Sequence, residues 1–136
     1  MPTITRFEEI EAWKTARELT RMIYALTEHG RFSKDFGLRS QIQRAAVSVM
    51  SNIAEGFESR TQAQFLEYLG RSKASAGEVR CQLYIALDLK YLTQEQFTHV
   101  FDLADKSSHQ IARFMDYLEM HPQSRRVREE GSGYEV

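Results

Sequence analysis

The sequence predicts an all-α domain, an antiparallel up-down-up-down four-helix bundle. Three features point to it. No proline falls between Pro2 and Pro122, and since proline inside a helix costs about 3 kcal/mol, its absence permits long helices. Apolar and small residues recur at alternating steps of three and four, the seam of nearly parallel helices. Glycines and capping residues cut the chain into four pieces with short connections, which force antiparallel neighbours. No segment shows comparable strand alternation.

The pieces are residues 7–29, 35–56, 61–90 and 93–120. They lie between an N-terminal extension, 1–6, and a flexible polar tail, 121–136. In the first helix the seam is Ala12, Ala16, Leu19, Ile23 and Leu26. Gly30 and Gly37 bracket a stop and restart. The second helix carries Leu38, Ile42, Ala45, Val49 and Asn52. Thr61 is a candidate N-cap for the third, whose seam is Phe65, Leu69, Ser72, Ala76, Val79, Leu83 and Ala86. Thr93, with Gln96 three residues on, reads as a capping box for the fourth. Its seam is Phe97, Phe101, Ala104, Ser108, Ile111, Met115 and Leu118.

Composition bounds the function. At 136 residues the chain is one domain, able to bury roughly two thirds of its unfolded surface without staples. Its 18 Lys+Arg stand against 19 Asp+Glu, a formal charge of −1. A protein that coats nucleic acid needs a basic surplus. With 42% hydrophobic residues, the chain is not a disordered one. The lone cysteine, Cys81, excludes an internal disulfide and a Cys-rich zinc site. The start, MPTITRFEEIEAWK, has no apolar signal region, and no run approaches the roughly 20 residues of a membrane span. The expectation is a cytoplasmic protein without membrane contact.

Apolar residues also spill past the seams. Ala46, Met50, Ile53 and Phe57 form a second stripe on the second helix, Leu66, Tyr84 and Ile85 lie off the seam of the third, and Phe114 and Tyr117 flank the fourth. A helix apolar on more than one side buries more than one side. The excess is read as a subunit interface in preference to a wide core.

The segment Ser48-Val49-Met50-Ser51-Asn52-Ile53-Ala54-Glu55-Gly56, with Gln41-Ile42-Gln43-Arg44-Ala45-Ala46 before it, resembles the signature of the bacterial four helix bundle protein family. The founding members of that family are encoded in intervening sequences of large-subunit ribosomal RNA genes. Phe7, Ile10, Trp13 and Ala16 are similar to the family's start. Phe65-Leu66, Ser75 with Glu78, and Gln82-Leu83 with Ile85-Ala86 resemble its third helix. The resemblance runs from about residue 7 to 120. Departures are Ser33 in place of proline, Ala74 in place of glycine, and Lys90 where glycine often breaks the third helix, a change expected to lengthen that helix by a turn. The resemblance implies a ring-like homopentamer and brings no established enzymatic activity. A related retroelement accessory protein is pentameric too, but strongly basic and nucleic-acid binding. Its nucleic-acid role depends on a charge surplus this chain lacks.

At 100° per residue, Arg44, Ser48 and Glu55 share one flank of the second helix, with Asn52 nearer the seam. Arg71, Ser75, Glu78 and Gln82 share a flank of the third. Antiparallel packing then predicts a structural polar ladder of Arg44, Ser48, Asn52, Glu55, Ser75 and Glu78, with Ser48 opposite Ser75 and Arg44–Glu78 as its charged rung. The ladder is read as fixing register and partner choice in preference to a ligand or catalytic constellation, since an Arg–Glu pair neutralises itself and no nucleophile stands beside a base. His29, His99, His109 and His121 have no second histidine at i, i+4 and no HExxH arrangement, so neither a metal nor a catalytic residue is expected. No nucleotide motif and no cofactor site is apparent. The expected partner is a second copy of the chain. The alternative is nucleic acid, contacted by Lys14, Arg17 and Arg21 on the first helix and by Arg125, Arg126 and Arg128 in the tail.

Overall fold

The computed structural model describes residues 3–122 and 134–135. It is all-α apart from one two-residue strand pairing. The helices are α1, Glu11–Thr27; α2, Phe36–Glu58; α3, Gln62–Asp88; and α4, Gln94–Met120. Each packs on its successor in sequence, and α4 closes back on α1. Contacts run in opposite directions along successive helices. Thr20 and Thr27 of α1 meet Ala46 and Gln43 of α2 respectively, Gln41 and Ser48 of α2 meet Gln82 and Ser75 of α3, and Arg80 and Gln62 of α3 meet Ser108 and Leu118 of α4. Neighbouring helices are therefore antiparallel.

The seam residues build the core. Leu19, Ile42, Val49, Phe65, Leu69, Leu83, Ile111 and Leu118 are fully buried. The second stripe on α2 turns inward as well: Ala46, Ile53 and Phe57 are buried inside the subunit, and Met50 packs against them. Here the wide core replaces the expected interface. Tyr84 and Ile85, by contrast, stay exposed.

The ends follow local chemistry. Thr61 and Thr93 form capping boxes with Gln64 and Gln96, satisfying backbone N–H groups that an open helix start leaves orphaned. Asp35 caps α2, its Oδ1 accepting from the Leu38 N–H at 3.1 Å. The first helix does not begin at residue 7. Phe7–Glu9 is a separate 3-10 turn, and Ile10, buried and extended, breaks it from α1. The Glu9 carboxylate holds this turn by accepting from the Thr5 and Arg6 N–H groups at 2.8 and 3.2 Å. Those backbone donors, Thr5 first, keep its carboxyl below the ordinary carboxylate value against an opposing desolvation.

Lys90 does not lengthen the third helix. Helix α3 stops at Asp88, and Lys90 adopts φ +60. The Tyr91 N–H reaches the Ala86 carbonyl and the Lys90 N–H reaches that of Leu87, each at 2.9 Å. This is the Schellman closure, with lysine standing in the left-handed position that glycine usually takes. Near the termini, β1, Thr3–Ile4, pairs antiparallel with β2, Tyr134–Glu135, so this part of the expected free tail is engaged. Ile4 is buried and anchors β1, leaving it a strand edge to pair. Residues 123–133 lie outside the described residues.

Candidate functional site

The polar flank between α2 and α3 assembles from small residues. The Ser48 and Ser75 hydroxyls lie 2.8 Å apart. Asn52, one turn on, donates from Nδ2 to the Ser48 Oγ at 2.8 Å and to its carbonyl at 2.9 Å. Ser72, fully buried, donates its hydroxyl to the Val49 carbonyl at 2.6 Å. Gln82, also buried, donates from Nε2 to Gln41 Oε1 at 3.3 Å and to Glu78 Oε2 at 3.1 Å. The helices approach closely because serine, alanine and glycine face one another. At Gly56 an added Cβ would sit 2.8 Å from both Phe65 Cδ1 and Tyr68 Cβ.

The structure does not join Arg44 to Glu78. Both side chains are exposed, and neither forms an ion pair among the described residues. The Glu78 carboxylate takes the Gln82 amide instead. A neutral amide on the same helix satisfies it without ordering a long arginine across the groove. Glu55 is exposed too and reaches no other member of the ladder. Ser48, Asn52 and Ser75 are brought together; Arg44, Glu55 and Glu78 are not. Arg44, Ser48, Asn52 and Glu55 instead line a shallow groove of about 560 Å³ that also takes in Tyr24, Ser40 and Val47.

Chemically this flank is a set of mutually satisfied amides and hydroxyls. Among the described residues no base stands at either serine to withdraw a proton, which a serine nucleophile requires. Cys81 is exposed in the middle of α3, away from the helix start that would activate it. No group of three or more His, Cys, Asp or Glu is placed to hold a metal among the described residues. Among them, no helix is long and apolar enough to cross a membrane.

Lys14, Arg17 and Arg21 lie along one exposed line of α1 and share a groove of about 410 Å³ with Glu8, Trp13 and Glu18. Lys14 pairs with Glu11 at 3.4 Å, and the Arg17 guanidinium stands 5.8 Å from the Trp13 ring centre. Acidic neighbours thus dilute the basic stripe. Arg125, Arg126 and Arg128 lie outside the described residues.

Sequence reasoning missed the ties between α1 and α2 given above and two more between α3 and α4. The Arg80 guanidinium donates to the Ser108 hydroxyl, and Gln62 Nε2 donates to the Leu118 carbonyl at 2.5 Å. Polar residues flanking an apolar seam are the only sequence signal for either.

Comparison with known proteins gives the lineage. The model of one family, described as 23S rRNA-intervening sequence protein, matches residues 8–113. The chain belongs to that family. No curated protein sequence matches it. A solved structure with the same fold is a protein of unknown function from the S23 ribosomal protein family of Bacteroides thetaiotaomicron. It is 20% identical, with a TM-score of 0.71, over 77% of this chain and 95% of that one. The match of the intervening-sequence family starts in the 3-10 turn and ends inside α4, so it takes in the whole polar flank.

Proposed function

We propose that this intervening-sequence family member is a non-catalytic, homo-oligomeric helical scaffold whose subunits close into a ring-like pentamer in the cytoplasm. One observation carries the reading: Tyr84, Ile85 and Leu89 are 51, 45 and 45% exposed, the first two near the C-terminal end of α3 and Leu89 at its C-cap. Large apolar side chains grouped in this way mark an interaction surface. Two half-buried glycines of the same helix, Gly70 and Gly77, support it. An added Cβ would meet only Met115 Cε at 4.0 Å for Gly70 and Arg80 Nη2 at 3.6 Å for Gly77. The isolated subunit has no need of glycine at either place, although each costs about 1 kcal/mol relative to alanine. Close approach by a neighbouring subunit accounts for both.

The test is Ile85→Glu with Leu89→Glu. Both positions are exposed, so the double variant should keep its helical melt while light scattering reports a smaller particle. An unchanged particle mass would contradict this face as the contact.

The single line of Lys14, Arg17 and Arg21 favours a second reading, a nucleic-acid or ribonucleoprotein accessory role. Filter binding to structured RNA across a salt series tests it. Retention that weakens as salt rises, and is lost in the triple Ala variant, supports it; no retention at low ionic strength ends it.

A further inference from the structure

The charge pattern of α2 runs against its own dipole. A helix favours acidic residues in its first turn and basic ones in its last. Helix α2 has neither. Its first half instead carries Arg39 and Arg44, and its last turn carries Glu55 and Glu58. Arg44 and Glu55 are exposed and form no ion pair among the described residues. With Ser48 and Ser51 they fall at steps of four, three and four, so all four lie on one face of α2. Between the two charges the face is small and polar, and Tyr24 and Val47, each 38% exposed, border it.

We propose that this face binds the same face of a second copy of the chain, with the two α2 helices antiparallel about a two-fold axis midway between Arg44 and Glu55. That placement sets each Arg44 against the second copy's Glu55, twice per contact, and Ser48 against the second copy's Ser51 at the axis. The serines let the helices approach to the 8–10 Å typical of close helix pairs. Antiparallel alignment also brings each basic half of α2 beside an acidic half, relieving the unfavourable signs at both ends. The contact is self-complementary, as an isologous dimer requires. It goes beyond the ring reading, because a two-fold contact cannot lie within a five-membered ring. It joins subunits or rings in pairs.

Light scattering of the full chain tests this and separates it from the ring. The expected particle holds an even number of copies, two without a ring or ten with one. Arg44→Glu and Glu55→Arg should each halve it, with dissociation constants raised about tenfold or more, while their melts stay close to that of the parent. Mixing the two variants should restore the particle, since one copy then presents acid at both positions and the other presents base at both. In a Cys81→Ser background, Ser51→Cys should give an oxidised dimer that Glu55→Arg abolishes. A particle of five copies, unmoved by either charge reversal, would overturn the pairing and leave the ring standing. A particle that neither variant halves, or a mixture that fails to restore it, also overturns the pairing.

Discussion

The hydroxyls of Ser48 and Ser75 meet 2.8 Å apart across the α2–α3 contact, and the Asn52 amide donates to the first of them at 2.8 Å. Ser48 thus has two side-chain partners, whereas Ser75 has one. Ser48→Ala should cost about 1–2 kcal/mol because it removes both side-chain bonds and leaves the half-buried Asn52 amide only the Ser48 carbonyl, and Ser75→Ala about 0.5–1. The double variant should cost less than the sum of the two. Urea denaturation of all four proteins measures the coupling, and strict additivity would mean that the pair contributes nothing.

Gly56 holds α2 and α3 together near their connection. Alanine would gain about 1 kcal/mol of helix propensity, yet its Cβ would meet the Tyr68 Cβ, which is fixed to backbone, at 2.8 Å. Overpacking of this kind costs about 1–3 kcal/mol. Gly56→Ala should therefore destabilise by up to about 2 kcal/mol in thermal or urea melts. A rise in stability would mean that the two helices separate easily.

Lys90 sits at φ +60 where the Schellman closure suits glycine. Lys90→Gly should stabilise the subunit by about 0.5–1 kcal/mol, the left-handed strain relieved less the entropy glycine adds to the unfolded chain. Lys90→Val should destabilise, because a β-branched side chain is worse there. Thermal melts of the two variants beside the parent check both signs.

The Tyr91 hydroxyl donates to Asp35 Oδ2 at 2.9 Å, and this bond is the main cause raising the phenol above its ordinary value of 10.0. A raised value favours the neutral phenol in the folded state. Its contribution is thus complete below about pH 10 and lost as pH climbs through the raised value. Tyr91→Phe should lose stability at neutral pH and show a shallower alkaline decline. Equal alkaline slopes for the two proteins would show that the bond does not form.

Most of the fold was legible because helix periodicity and capping are local. The third-helix seam from Phe65 to Ala86 is buried as its spacing indicates, and Thr61 and Thr93 cap as their sequence contexts suggest. The register between Ser48 and Ser75 followed from antiparallel packing and short side chains that leave few choices. Arg44 and Glu78 did not follow, since long exposed side chains select among many partners for small differences in energy. Lys90 misled because the left-handed closure is set by the backbone contacts of Ala86 and Leu87, which outweigh the strain of one lysine. The inward turn of Ile53 and Phe57 was hidden because periodicity marks apolar faces without saying which neighbour covers them.

Sedimentation velocity of the unmodified full chain across a wide concentration range bears most directly on the assembled-scaffold reading. A particle of several chains that persists on dilution is the expected result. A single 15.8 kDa species at every concentration would contradict it.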